Sequence, residues 1–169
     1  MSAFILRPWR SADLPALVRH ADDEGIARWM TDTFPHPYTI ASGEAFLQRV
    51  MPADGSQPNV LAIEVDGEAA GSIGIFPQQD IFRRNAELGY WLARKYWGLG
   101  IMTSAVMQMV DFAFDRHPEL DRIFARPFAT NHPSQRVLEK AGFLLEAKFH
   151  GTIIKNDRVE DELVYAIRR

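Results

Sequence analysis

The 169-residue sequence contains no cysteine. That excludes disulfides, thiolate zinc sites, iron–sulfur ligation and a cysteine nucleophile, and it agrees with a reducing compartment. Long apolar runs are missing too, since nothing approaches the roughly 18 residues of a membrane span. The start, Met1-Ser-Ala-Phe-Ile-Leu-Arg-Pro-Trp-Arg10, has an apolar patch interrupted by Arg7, too short for the core of a secretory leader. The expectation is a cytoplasmic protein without a membrane partner. There is no surplus of positive charge: 19 Lys and Arg stand against 22 Asp and Glu, a net charge of −3. A nucleic-acid binder relying on bulk charge is therefore not expected. Internal repeats, low-complexity tracts, a Walker Gly-Lys-Ser/Thr, a GxSxG elbow and HExxH are all absent. No metal site is expected. What is present is ordinary globular composition, 47% hydrophobic and 24% charged, and the length suits a single domain over residues 1–169.

Phe4–Arg7 reads as a first strand. Ser11-Ala-Asp-Leu-Pro reads as a helix start, with Ser11 as N-cap and Leu14, Leu17 and Val18 facing inward. A short helix is expected over Asp23–Thr31. A third, capped by Thr39 or Ser42, would turn Phe46, Leu47 and Val50 inward, and Met51–Pro58 reads as a loop. Val60–Val65 and Ala69–Phe76 flank Asp66-Gly67, a strong signal for a type I′ hairpin. Ala86–Leu92 is a further strand. The loop Arg94–Gly100 leads into the longest helix, about Ile101–Arg116, whose polar residues Ser104, Gln108, Asp111 and Asp115 form one narrow stripe. Arg122–Ala125 is a strand and Pro133–Ala141 a helix stopped by Gly142. Phe143–Phe149 and Glu160–Ile167 are closing strands that can pair across Asn156-Asp157. This order predicts an α/β (α+β) domain, a mixed sheet with helices on both faces.

The informative stretch is Glu87-Leu-Gly-Tyr-Trp-Leu-Ala-Arg-Lys-Tyr-Trp-Gly98-Leu-Gly100-Ile-Met-Thr-Ser-Ala. A strand feeds a loop with two glycines, and the loop opens a helix. Glycine permits close backbone approach, and the first amides of a helix lack internal partners and favour an anion. The result reads as a phosphate cradle; the plainer reading is a tight turn that only aids packing. The dinucleotide pattern GxGxxG fails at Thr103.

Lys95-Tyr-Trp-Gly98-Leu-Gly100 resembles the pyrophosphate loop Gln/Arg-x-x-Gly-x-Gly/Ala of the GNAT superfamily of acetyl-coenzyme A-dependent N-acetyltransferases, with Lys95 at the first position. Asn131-His-Pro-Ser134-Gln-Arg-Val-Leu-Glu-Lys-Ala-Gly142-Phe143 is similar to that family's second motif. Leu6-Arg-Pro-Trp-Arg, then Ala12-Asp and Pro37-Tyr-Thr, resemble the branch containing ribosomal-protein alanine/serine N-acetyltransferases.

The resemblance implies a mostly antiparallel sheet whose central strand pair splays, with acetyl-CoA as cosubstrate. Backbone groups of Tyr90, Trp91 and Leu92 would meet the pantetheine. Amides from Lys95 through Thr103, including Trp97, Gly98, Leu99, Gly100, Ile101 and Met102, would hold the pyrophosphate, and Lys95 or Arg94 would add charge. Asn131 would bond the coenzyme or cap its helix. An amine of pKa about 10 needs a base. Glu87 is the candidate, against a carboxylate paired with Arg83, Arg84 or the loop, and His36 is a second candidate. Many relatives use a tyrosine to protonate the departing thiolate where this chain has Leu138, so the resemblance implies Ser134 as the substitute, directly or through water, as in the ribosomal-protein branch, against a capping role. Phe34, His36 and Tyr38 are expected on the acceptor side, with Trp29, Tyr90, Trp91, Tyr96 and Trp97 as further aromatics. Asp161 is either a contact for a cationic acceptor or a surface charge. The predicted function is direct acetyl transfer to a primary amine, a small molecule or a protein N-terminus, by a monomer or homodimer. The alternative is a non-catalytic coenzyme A-binding sensor or interaction module.

Overall fold

The computed structural model describes residues 3–54 and 56–169. Met1, Ser2 and Gly55 lie outside the described residues, and with them the first two residues of the opening patch and the middle of the Met51–Pro58 loop.

Local chemistry explains most element boundaries. Strand β1 is Phe4–Pro8, followed by a 3-10 turn at Ser11–Asp13 and helix α1, Leu14–Ala21. The expected Ser11 cap is replaced by Asp13. Its carboxylate accepts the Arg10 amide at 2.8 Å and two hydrogen bonds from the Arg7 guanidinium, each 2.8 Å. The carboxylate therefore ties the turn back to β1 and caps no amide of α1 itself. Helix α2 covers only Glu24–Ala27, capped by Asp23 on the Gly25 amide at 2.7 Å. The expected longer helix dissolves into i→i−3 bonds at Trp29 and Met30. Helix α3, Ile40–Val50, begins with a capping box that uses both Thr39 and Ser42.

Strands β2 (Val60–Val65) and β3 (Glu68–Pro77) form the expected hairpin. Asp66 and Gly67 have φ of 53° and 80°, the signature of a type I′ turn. Then follow β4 (Asn85–Leu92), α4 (Ile101–Arg116), β5 (Arg122–Ala125), α5 (His132–Lys140), β6 (Leu144–Lys155) and β7 (Arg158–Arg168). The last two strands turn at Asn156-Asp157, both at positive φ. They are longer than expected because register shifts within Leu145–Ala147 and Phe149–Ile153 interrupt the period-2 pattern that marks a strand.

The strands form one mixed sheet in the order β1-β2-β3-β4-β5-β7-β6. Strands β4 and β5 pair in parallel. Ala69–Ile75 of β3 is buried without interruption, so both faces of that strand are covered.

Two compact units divide the chain, Met1–Gly74 with Tyr90–Ala105, and Ile75–Gly89 with Val106–Arg169. In the first, Trp9, Leu17, Ala21, Ile26, Tyr38, Leu47, Val50, Ala62, Ala69 and Trp91 make a continuous core. Gly43 lets α3 approach α1, since a Cβ there would stand 2.7 Å from Leu14. In the second unit α4 buries Val106, Met109, Val110 and Ala113, while Gln108, Asp111 and Asp115 face outward as expected. Exposed Met107 interrupts that polar stripe. Gly142, at φ 90°, ends α5 and returns Phe143 to the core.

Candidate active site

In the first unit β4 ends in a tightly anchored loop. The Ala93 amide donates to the Ala70 carbonyl at 2.8 Å. A 3-10 turn at Arg94–Tyr96 follows, and the Tyr96 and Trp97 amides donate back to Ala93 and Arg94, both at 3.0 Å. Tyr96 Oη donates to Asp66 at 3.1 Å, and Trp97 Nε1 donates to the Leu92 carbonyl at 2.7 Å. Of the run Lys95–Thr103 expected to offer amides, Tyr96 and Trp97 thus turn theirs inward, and the Leu92 carbonyl expected on the pantetheine serves the Trp97 indole.

Beyond Trp97 the picture reverses. Gly98 and Gly100 sit at φ of 75° and 79°, and a Cβ on either would meet nothing within 4 Å. The next amide bonded to a carbonyl is that of Ser104, which donates to Gly100 at 3.1 Å as α4 begins. The six amides of Gly98, Leu99, Gly100, Ile101, Met102 and Thr103 have no acceptor among the described residues. Left-handed glycines followed by the start of a 16-residue helix make an anion-binding concavity. Arg94 does not join it: its guanidinium grips Asp23 at 2.6 and 3.0 Å, and that bond holds the Asp23 carboxyl below its usual range. Lys95 has no carboxylate partner among the described residues; its ammonium lies 4.7 Å from the centre of the Tyr96 ring.

The same unit holds the residues expected on the acceptor side. Phe34 packs against Tyr38 and Trp91, with ring centres 5.1 and 5.9 Å away. Asp22 Oδ1 accepts from the Tyr38 amide at 2.8 Å and lies 3.3 Å from His36 Nδ1. Tyr38 and Trp91 belong to the core, and burial pushes the Tyr38 hydroxyl above its ordinary pKa. His36 is exposed and Phe34 half-buried.

In the second unit the β4–β5 ladder holds only Asn85↔Arg122, Ala86↔Ile123 and Glu87↔Phe124. Where it ends, the parallel strands part, as the expected splay requires, and Glu87 stands at that point. It is half-buried. Burial raises its pKa; Arg126 pulls it down and Glu162 pushes it up. Neither expected arginine takes it, since Arg83 donates to the Asp80 carbonyl and Arg84 lies beside Asp121. Arg126 Nη2 instead donates to both oxygens of Glu162, at 2.9 and 2.8 Å, and Glu162 is buried. Arg126 and Glu162 were missed from the sequence. The available signal was an acid directly preceding the apolar run Leu163–Ala166 and a base directly following Ile123-Phe-Ala125.

Asn131 caps α5, its Oδ1 accepting from the Ser134 amide at 3.3 Å. The capping role considered for Ser134 therefore belongs to Asn131, and Ser134 sits half-buried in the first turn. Leu138 is fully buried. Asp161 is held inside the β6–β7 hairpin by Lys148, His150 and the Gly151 amide. Among the described residues no group of three or more His, Asp or Glu is arranged to hold a metal ion, and no helix is long and apolar enough to cross a membrane.

Three comparisons bear on this arrangement. YdaF of Bacillus subtilis (strain 168) is 33% identical over 102 residues, 60% of this chain, and the match spans 55% of YdaF, about half its length. The ribosomal-protein-serine acetyltransferase of Escherichia coli (strain K12) is 25% identical over 142 residues, 82% of this chain and 78% of that one. The solved structure of Mycobacterium smegmatis RimJ in complex with CoA-disulfide superposes with a TM-score of 0.83 at 28% identity, over 99% of this chain and 82% of that one. Residues 3–144 match the family described as acetyltransferase (GNAT) domain, and the chain belongs to that family.

Proposed function

We propose that the chain moves an acetyl group from acetyl-CoA to a primary amine, working as one domain. The observation that carries this reading is the run of six unpaired amides from Gly98 to Thr103. A pyrophosphate supplies the acceptors those donors lack, and the helix start favours its charge. Acetyl-CoA, when bound, supplies the activated acyl carbon. The acceptor nitrogen forms a bond to that carbon, and the carbon–sulfur bond breaks. Glu87 takes the ammonium proton, because its raised pKa makes it a better base than an exposed carboxylate. Ser134 relays to the departing thiolate the proton that the nitrogen sheds as the amide forms, directly or through water. Transfer is direct, since the chain has no cysteine to carry the acetyl group. Phe34 and His36 line the acceptor side. The names of YdaF and of the Escherichia coli relative, both of which refer to ribosomal substrates, support a protein N-terminus as acceptor and a cytoplasmic reaction.

A second reading, a coenzyme A-binding sensor, is favoured by Leu138: a buried leucine occupies the position where relatives carry the acid. Thiol release measured against small amines and against peptides beginning with Ala or Ser separates the two. Turnover on peptides supports the transferase. A saturable acetyl-CoA complex with no turnover on any amine supports the sensor.

A further inference from the structure

The register of the second unit places three charged residues on one face of the sheet. Glu87 lies opposite Phe124 on β5, and Phe124 lies opposite Ala166 on β7. Side chains alternate along a strand, so Arg126, two residues after Phe124, shares its face, and so does Glu162, four before Ala166. The bridge Phe128↔Glu162 keeps this register past the end of β5. Glu162 is the buried member, at 6% exposure, and both its oxygens are turned to one nitrogen of Arg126. The Arg126 side chain is half exposed. Two further cations on this face are engaged elsewhere: Arg122 bonds Asn85 and Glu146, and Arg168, its partner on β7, bonds Asp121 and Glu146. On the far side of β4, strand β3 places Phe76 beside Gly89, and its one charged residue, Glu68, stands at the strand's other end with Arg19 and His20.

A buried carboxylate gripping an arginine is weak evidence of a role in stability, because apolar pairs of similar volume often hold a fold as well. Its place beside the candidate base suggests another use. Resting on the transferase reading, we propose that Glu162 is a positioning residue: it holds Arg126 next to Glu87 with the guanidinium charge already compensated, so that Glu87 keeps enough proton affinity to deprotonate the acceptor amine. Without Glu162, Arg126 would pair with Glu87 itself and turn a base into a structural ion. Without Arg126, two like-charged carboxylates would face each other. The burial-driven rise at Glu87, opposed by Arg126 and reinforced by Glu162, agrees with this balance.

The test is a double-mutant cycle read by pH dependence. Glu162→Gln should move the acid limb of the thiol-release rate to lower pH and lower the plateau by about tenfold, a fraction of the ~100-fold expected for loss of the base. Arg126→Gln should move the limb to higher pH, and the double variant should return it towards the wild-type position. Limbs that move in the same direction, or do not move in folded variants, overturn the proposal, because a purely structural pair predicts no opposed shifts. The Glu87 carboxyl resonance, identified by its loss in Glu87→Gln, should follow the same three directions without acetyl-CoA. If the wild type turns over no amine, the transferase reading fails while this titration still decides the inference. If Glu162→Gln does not fold, Arg126→Gln, on the exposed side of the pair, decides the sign alone.

Discussion

Two residues show how burial is used for opposite ends. Glu87 has its charged form penalised by burial, so the folded protein binds its proton more tightly than the unfolded chain does. Stability from this group is therefore lost as pH rises from the unfolded value of 4.5 through the raised folded value. Glu87→Gln should accordingly raise the melting temperature at neutral pH while lowering kcat by about 100-fold and abolishing the acid limb. A variant with an unchanged pH–rate profile would remove Glu87 from the mechanism. Asp13 is the converse. Burial opposes its charge too, but the Arg7 bonds and the Arg10 amide prevail and lower its pKa. Its contribution is complete above the unfolded value of 3.8 and disappears as pH falls through the lower folded one. Arg7 also bonds Glu64 and is itself buried. Asp13→Asn should cost about 3 kcal/mol in urea unfolding at pH 7, with the loss shrinking in acid.

Among the elements, the start of α4 matters most. Its two preceding glycines hold left-handed backbone that an L side chain enters at a cost of about 1–2 kcal/mol. Gly98→Val adds bulk to open space where a diphosphate would lie. Calorimetry should find acetyl-CoA binding lost with the fold retained, and micromolar affinity in that variant would overturn the cradle. The start of α5 is simpler. Asn131 makes an ordinary cap, so Asn131→Ala should cost about 1 kcal/mol in thermal unfolding.

For the whole molecule, ligand linkage gives the broadest check. A ligand that binds only the folded chain stabilises it by about 2.7 kcal/mol at a hundredfold excess over Kd. For a chain of this size that raises the melting temperature by roughly 5–10 °C. Acetyl-CoA should produce such a shift in the wild type and none in Gly98→Val. A chelator should leave both values unchanged.

Features that depend on neighbours along the chain were legible in the order of the amino acids. The Asp66-Gly67 turn, the Thr39 cap, the helix at Ile101–Arg116, the glycine pair and the Asn131 motif are each set by the conformations their own side chains permit, so local spacing reveals them. Tertiary structure decided what depends on register. Arg7 meets Glu64 across 57 residues, and Arg126 meets Glu162 across 36. The ladder between β4 and β5 stops at Glu87. No periodicity encodes which charge faces which, because that follows only once the strands have chosen partners and alignment. For the same reason Glu87 was legible as a carboxylate on a strand, while the Arg126–Glu162 pair on its face of the sheet was not.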